Sequence, residues 1–165
     1  MGPAFFGPLE YADLACYIIG SMKLRVVLDT NVLVAASRSR LGASFAVLRA
    51  MREGQLLALA SVPLVLEYEA VLSRPEQLAA SHRTAPMVEA FLDAFCLLAE
   101  PVELFFLWRP QLRDAADEMV LETALNGRAD ALVTLNGRDF VPAHRFGLPV
   151  LTPGAFLQAL QLERF

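Results

Sequence analysis

A short apolar run that ends on a carboxylate constrains this chain more than any other feature. The run is Leu24-Arg25-Val26-Val27-Leu28, and Asp29 follows it directly. It is too brief for a helix and rich in valine and leucine, which is typical of a buried parallel strand. Ligands of open α/β sheets bind outside the carboxyl ends of the strands, so we expect Asp29 to face a site. The alternative is that Asp29 caps the helix that follows it.

Segments with strand and helix character alternate along the rest of the chain. This alternation predicts a three-layer α/β/α sandwich with a mainly parallel central sheet. Further strands are predicted at residues 56–60, within 102–108, at 131–135 and at 149–151. Helices are predicted at residues 32–36, from a cap at Ser44 to a stop at Gly54, at 64–72, at 86–98, from Asp114 to 126, and at 153–159. Pro75 is expected to interrupt the pattern.

Length and composition narrow the class of protein. The 165 residues suit one domain, and 56% of them are apolar, a surplus that predicts an interface with a partner or a second copy. No apolar run is long enough to cross a membrane. Cys16 and Cys96 lie far apart, which predicts neither a zinc site nor a disulfide framework and fits a reducing cytoplasm. The net charge of −4 argues against nucleic-acid binding through a broad basic surface.

Residues 1–22 precede the first predicted strand and contain no lysine or arginine. They therefore lack the positive start of a secretory signal. Gly2, Pro3, Gly7 and Pro8 interrupt any regular pattern, so we expect a loosely ordered extension that can be removed without harm. The alternative is a short helix from Leu14 to Ile19 that docks on the domain formed by residues 23–165.

Acidic residues fall where the predicted strands end. Asp29 ends the first strand, Glu67 lies on the helix after the second, and Asp117 lies in the first turn of a later helix. Asn136 and Asp139 follow the fourth strand. Carboxylates that share one sheet edge raise one another's pKa unless a hard cation such as Mg²⁺ or Mn²⁺ neutralises them. Such a site can bind a phosphate and lower the pKa of a water molecule.

Polar neighbours of these acids have two interpretations each. We expect Thr30, Asn31 and Thr134 to hold the carboxylates in place, although they could simply be hydrogen-bonding groups at strand ends. Asp114 either supports the site or caps a helix. Glu67, Asp117 and Asp139 also suit ordinary helix surfaces, helix starts and turns. His82 and His144 lie away from the acidic motifs and are interpreted as surface residues.

Four motifs together resemble the successive motifs of PIN-domain ribonucleases, notably the toxin components of bacterial toxin–antitoxin pairs. They are Leu28-Asp29-Thr30-Asn31-Val32, Leu66-Glu67-Tyr68, Asp114-x-x-Asp117, and Leu132-Val133-Thr134-Leu135-Asn136-x-x-Asp139-Phe140. The resemblance runs from about Lys23 to Leu160 and implies the PIN fold. It places the family's first metal-binding acid at Asp29, its helix acid at Glu67 and its third acid at Asp117. The fourth acidic position departs from the pattern, so either Asn136 or Asp139 completes the site.

The resemblance implies an endoribonuclease that uses Mg²⁺ or Mn²⁺ and leaves 3′-hydroxyl and 5′-phosphate ends. Its implied partners are an RNA substrate and an antitoxin protein, and a homodimer is expected. Four loop arginines are predicted to hold the RNA backbone: Arg38, Arg40, Arg138 and Arg145. The alternative is that they are simply solvated surface residues. A rival hypothesis is a degenerate member that binds RNA or a protein without cutting. A phospho-accepting receiver domain needs an acidic pair and a late lysine, which this chain does not offer.

Overall fold

The computed structural model of the protein, which describes residues 23–107 and 109–162, contains a single five-stranded sheet. The strands are β1 (Leu24–Leu28), β2 (Leu56–Ala60), β3 (Glu100–Pro101), β4 (Ala131–Val133) and β5 (Val150–Leu151). Their order is β3-β2-β1-β4-β5, and every neighbouring pair is parallel. β1 lies in the centre, where Val26 is paired with Ala58 on one side and with Ala131 on the other.

Helices cover the sheet and connect its strands. They are α1 (Thr30–Arg38), α2 (Ala43–Arg52), α3 (Val62–Leu72), α4 (Pro75–Ser81), α5 (Ala85–Leu98), α6 (Glu118–Asn126) and α7 (Pro153–Leu162), with a kinked 3₁₀ helix at Gly137–Phe146. Parallel neighbours need such crossovers, because a tight turn can only join antiparallel strands. The predicted three-layer α/β/α sandwich with a mainly parallel sheet is confirmed.

The core lies on both faces of the central strand. Val26, Val27 and Leu28 are completely buried, as expected for a parallel strand with helices over both faces. α6 packs against β1, β2 and β4, whereas α2 and α5 both pack against β2. Burial of these last three residues of β1 holds its carboxyl end, and therefore Asp29, in one position.

Several predicted helix ends are confirmed by their hydrogen bonds and backbone angles. The Ser61 hydroxyl accepts a hydrogen bond from the backbone N–H of Leu64 at 3.4 Å, and Thr152 accepts one from Ala155 at 3.2 Å. Both residues precede helices that carry proline in the first turn, where the missing N–H costs nothing. Gly54 has φ of 72° just after α2, a backbone conformation that favours glycine.

Two predictions around helix starts are wrong. Ser44 does not cap α2, because Gly42 adopts the extended cap conformation and the helix begins at Ala43. Ser44 is instead a buried residue within the helix. Pro75 does not merely interrupt the pattern; it opens the short helix α4, since the fixed φ of proline suits a first turn.

Two further predictions fail in the stretch between β3 and α6. The strand expected within residues 102–108 is absent from the described residues, because β3 ends at Pro101 and a single further bond joins Val102 N–H to the Ala60 carbonyl. Asp114 does not start α6, which begins at Glu118. Its Oδ1 accepts a hydrogen bond from Ala116 N–H at 2.9 Å within a separate turn.

One expectation falls on residues outside the described part of the chain, namely the loosely ordered extension or docked helix of residues 1–22. None of the helices that the structure describes combines the length and the apolar character needed to cross a membrane.

Candidate functional site

Asp29 lies at the carboxyl end of the central strand and is only 5% exposed. Its backbone N–H donates to the Val133 carbonyl at 2.9 Å, which ties it to β4. It occupies the position before α1, but its carboxylate makes no capping hydrogen bond. Burial raises the pKa of Asp29, while the hydrogen bond from Thr134 and the nearby amides of Thr30 and Asn31 act in the opposite direction. The carboxylate therefore faces the sheet edge and does not serve as a helix cap.

The hydroxyl of Thr134 is the centre of a small hydrogen-bond network around Asp29. It donates to Asp29 Oδ2 at 2.6 Å and accepts from Asn31 Nδ2 at 3.1 Å and from the Asn136 N–H at 3.0 Å. Asn31 Oδ1 in turn accepts from the Leu135 N–H at 3.1 Å. Thr134 is completely buried, so this network holds the Asp29 carboxylate in one orientation.

Glu67 reaches the same edge from α3, and Tyr68 beside it fixes that helix to the sheet. The Tyr68 hydroxyl donates a hydrogen bond to the Leu28 carbonyl, one residue before Asp29. Its ring packs edge-on against Phe95, with 5.6 Å between the ring centres. Tyr68 is completely buried, and the sequence predictions assigned it no role in the site. Its only sequence signal is a tyrosine beside an acid on an otherwise apolar helix.

Asp117 stands directly before α6 and is half-buried among other acids. Its pKa rises to about 6, first because of burial and then because of the negative charges of Asp29, Asp114, Asp139 and Glu67. The other four carboxylates therefore lie close enough to Asp117 for their charges to act on it. We call this group the acidic edge: Asp29, Glu67, Asp114, Asp117 and Asp139.

Asn136 and Asp139 lie together just after β4. The Asn136 side-chain amide donates a hydrogen bond to Asp139 Oδ2, and the Asp139 N–H donates to the Asn136 carbonyl at 3.2 Å. Both side chains are exposed. The charge of Asp139 raises the pKa of both Asp29 and Asp117, so it faces the acidic edge. Which of the two residues completes a metal site stays a prediction.

The acidic edge suits a hard divalent cation by its donor chemistry. Carboxylate oxygens are the ligands that Mg²⁺ and Mn²⁺ prefer, and a cation would remove the repulsion that raises the pKa of Asp117. None of the ion pairs within residues 23–107 and 109–162 neutralises these acids. In the same residues no three acidic, histidine or cysteine side chains are close enough to share one ion. Binding a cation therefore requires the carboxylates to be drawn inward.

A second row of polar side chains follows the acidic edge along α6 and was not predicted. Glu118, Glu122 and Asn126 are spaced by four, so they lie on one face of the helix, and we call them the α6 stripe. Glu118 Oε1 accepts from the N–H groups of Gln111 and Leu112, at 2.6 and 2.8 Å. Its Oε2 is buried and has no hydrogen-bond partner in the described part of the chain.

The other members of the α6 stripe hold the preceding loop in the same way. Arg109 donates two hydrogen bonds to the Glu122 carboxylate, at 2.8 and 2.9 Å. Asn126 Oδ1 accepts from the N–H groups of Phe105 and Phe106, at 3.0 and 3.1 Å. These contacts anchor the loop that leads to Asp117. The signal in the sequence is three polar residues at helical spacing within an apolar helix.

The predicted loop arginines are exposed but do not all lie near the acids. Arg138 belongs to the turn that carries Asn136 and Asp139. Arg38 and Arg40 lie at the far end of α1, about 13 Å from Asp29 along the helix axis at 1.5 Å per residue. Arg38 donates to Gln77 Oε1 at 2.6 and 3.2 Å. Arg145 lies at the end of the 3₁₀ helix.

The sequence of the chain matches one model of a known protein family. The model that matches is described as a PIN domain, and the match covers residues 25–138, well over half of the chain. It includes the whole α6 stripe and every residue of the acidic edge except Asp139, which directly follows the matched range. No curated protein matches the chain.

Proposed function

Because the chain belongs to the PIN-domain family, whose members are generally nucleases, we propose that it is an endoribonuclease dependent on Mg²⁺ or Mn²⁺. The observation that carries the proposal is the position of Asp117 among four other carboxylates, none of which has an ion-pair partner in the described part of the chain. Burial first, and then these charges, raise the pKa of Asp117 to about 6. Structural carboxylates are normally paired or hydrogen-bonded, so an unneutralised group at a sheet edge is a functional signal.

In this proposal the residues of the acidic edge and their neighbours have different roles. Asp29, Asp117, Asn136 and Asp139 would hold the cation, and Glu67 on α3 would act with them as a catalytic acid. Thr134 and Asn31 keep the Asp29 carboxylate in one orientation, the backbone N–H of Thr30 stabilises its charge, and Asp114 holds the turn that precedes Asp117. The bound cation supplies charge stabilisation at the scissile phosphate and lowers the pKa of the attacking water.

Exposed arginines support RNA as the substrate class. Arg138 lies beside the acidic edge, and Arg38 and Arg40 lie at the other end of α1. In this proposal Arg138 contacts the RNA backbone next to the cleaved bond, and Arg38 and Arg40 contact it farther along the strand. The arginines also offset the repulsion between an acidic protein and a polyanion.

The test is cleavage of a labelled single-stranded RNA with Mg²⁺, with Mn²⁺ and with a chelator. We expect metal-dependent cuts with 3′-hydroxyl and 5′-phosphate ends. Asp29→Asn is expected to lower the rate by at least about 100-fold, or about 2.7 kcal/mol of activation free energy, and to leave the fold intact. Glu89→Gln, a change at an exposed acid on α5, is the matched control. RNA binding without cleavage under all three conditions would favour the non-catalytic alternative.

We propose further that the protein acts as the toxin of a toxin–antitoxin pair in the cytoplasm, on the strength of the resemblance between its motifs and those of toxin components. An antitoxin protein and a second copy of the chain are the proposed partners, supported by exposed apolar side chains such as Phe105 and Leu107. Induced expression of the natural chain is expected to stop bacterial growth, and Asp29→Asn to relieve the arrest. Continued growth in both cases would overturn the toxin proposal.

A further inference from the structure

An open apolar groove lies between α2 and α5 on one side of the sheet. Both helices pack against β2, and the groove between them has a volume of about 220 Å³. Its apolar walls are Phe45, Leu48 and Met51 on α2, and Phe91, Phe95 and Leu98 on α5. Neighbouring helices usually pack 8–10 Å apart with interlocking side chains. The groove is therefore a gap in the helix layer. Its apolar side chains would be removed from water if another segment packed on them.

The chain before Lys23 leaves the described fold at one end of this groove. α2 and α5 each lead into a parallel strand, so their C-terminal ends lie at the sheet edge where the strands begin. Lys23 enters β1 at that edge, and its Nζ lies 3.4 Å from the position of a Cβ added to Gly54. Gly54 is two residues beyond Arg52, which lines the groove. Residues 1–22 therefore join the fold at the mouth of the groove.

The length of the segment matches the length of the groove. Ten extended residues span up to about 33 Å, whereas α5, with 14 residues, is about 21 Å long. Residues 14–19, which read Leu-Ala-Cys-Tyr-Ile-Ile, can lie along its apolar walls. Asp13 then comes within reach of the far end, where Arg83 precedes α5.

Charge favours the same occupant. Residues 1–22 contain Glu10 and Asp13 but no lysine or arginine. Among the described residues, the groove is lined by Arg49, Arg52 and Arg83 and by no acidic residue. The Nε of Arg49 lies 3.8 Å from Oε1 of the exposed Glu53, and the guanidinium carbon of Arg83 lies 5.6 Å from the centre of the Phe91 ring. The two acids of the apolar segment are thus opposite in charge to the three basic residues of the groove.

We propose that residues 1–22 cover the groove between α2 and α5, with residues 14–19 against its apolar walls and the two acids toward its arginines. This is the docked alternative from the sequence, without commitment to a helix. The proposal is independent of nuclease activity. A second copy of the chain or another protein would need the same apolar surface.

Crosslinking within the full chain tests the proposal and has a control built into α5. Cys96 is exposed and does not line the groove, whereas Ala94 lines it, about 200° away around the helix. We compare the natural pair Cys16 and Cys96 with the variant Ala94→Cys/Cys96→Ala, using a short bismaleimide on dilute protein. The variant is expected to crosslink within one chain roughly tenfold faster, because docking raises the effective concentration at position 94. Equal rates would overturn the proposal, and so would crosslinks between chains that disappear on dilution.

Limited proteolysis gives a second test of docking, in variants that keep both natural cysteines. Cleavage by chymotrypsin after Tyr17 is expected to be slow in the natural chain and several-fold faster in Leu98→Asp, which changes the groove wall. Leu97→Asp is the matched control, because Leu97 is 86% exposed and does not line the groove. Far-UV circular dichroism checks that both variants fold. Rapid cleavage of the natural chain at the rate of Leu98→Asp would contradict docking.

Discussion

Asp117 and Glu118 are adjacent in the sequence, yet they belong to two groups of carboxylates with opposite surroundings. Asp117 faces other acids, and their charges, together with burial, raise its pKa to about 6. Glu118 turns to the other side of the chain and accepts two backbone N–H groups. Four residues on, Glu122 is paired with Arg109. A rotation of about 100° at the start of one helix separates the two surroundings.

The comparison teaches how a carboxylate is assigned a role. In the α6 stripe each carboxylate receives hydrogen bonds that offset the cost of burying its charge, and the result is an anchored loop. In the acidic edge Asp29 accepts from Thr134 and Asp139 accepts from Asn136, but no ion pair in the described part of the chain neutralises the group. The first arrangement stabilises the fold, whereas the second lowers stability and favours the binding of a cation. Four predictions test this contrast, and each one changes either the α6 stripe or the acidic edge but not both.

The largest effect is expected from removing the positive partner in the α6 stripe. Arg109→Ala leaves the Glu122 carboxylate buried without its two hydrogen bonds, and Arg109 itself is 46% exposed. We expect a loss of about 2–3 kcal/mol in the free energy of unfolding, below the usual cost for a fully buried pair because water screens the arginine. Urea denaturation measures it, with Arg113→Ala at an exposed arginine as the control. Equal small losses in both variants would show that the pair is not structural.

On the acidic side, Thr134→Val removes the hydroxyl that orients Asp29. Valine has nearly the same shape, so the fold is retained, while Asp29 loses its 2.6 Å donor. Loss of such a supporting hydrogen bond typically lowers metal affinity or activity by about 10- to 100-fold. Thr134→Ser is expected to restore most of the loss, and Thr84→Val, at an exposed threonine, to change nothing. An equal loss of stability and of activity in Thr134→Val would assign Thr134 to the core instead.

The two groups also differ in how far the sequence predicts them. Asp29, Asn31 and Thr134 were placed correctly at one edge, because parallel strands bring their carboxyl ends together whatever the loops do. Glu118, Glu122 and Asn126 were missed, because their partners are backbone N–H groups and one arginine side chain in a loop with no periodic pattern. Asp114 illustrates the limit of local signals.

The sequence around Asp114 has the form of a helix start, but α6 begins four residues later. The intervening residues form a turn in which Asp114 accepts the Ala116 N–H. Glu118 meanwhile holds the backbone of Gln111 and Leu112. Long-range contacts of this kind decide where the helix begins, and a capping pattern contains no information about them.

A smaller effect is expected from the pH dependence of the metal-free protein. The pKa of Asp117 is about 6 in the folded protein and 3.8 ordinarily, so the folded state binds the proton more tightly. This contribution to stability is present below about pH 4 and is lost as the pH rises through 6. Asp117→Asn is expected to remove that slope and to gain up to about 1 kcal/mol at pH 7, after allowance for screening by water.

Urea denaturation in chelator between pH 4 and pH 7.5 measures this slope. Asp93→Asn, at an exposed acid on α5, is the control and is expected to keep the slope of the natural chain. Parallel curves for Asp117→Asn and the natural chain would mean that the acids of this edge do not repel one another. In that case the contrast with the α6 stripe would fail.

The smallest effect concerns Asn136 and Asp139, where the acidic edge is exposed to water. Asp139 raises the pKa of Asp29 and Asp117, so its charge acts on the place where a cation would bind. Asp139→Asn is expected to weaken Mg²⁺ binding about threefold, the size of one exposed charge pair. Asn136→Asp adds a carboxylate and is expected to strengthen binding by a similar factor, although it loses the hydrogen bond from the Asn136 amide to Asp139. Calorimetric titration with Mg²⁺ measures both, with Glu89→Gln as the control.

If Asn136→Ala weakens binding more than Asp139→Asn does, the amide is the nearer group and Asp139 acts through it. Unchanged affinity in all three variants would remove this turn from the acidic edge, and the contrast would then rest on Asp29, Glu67 and Asp117.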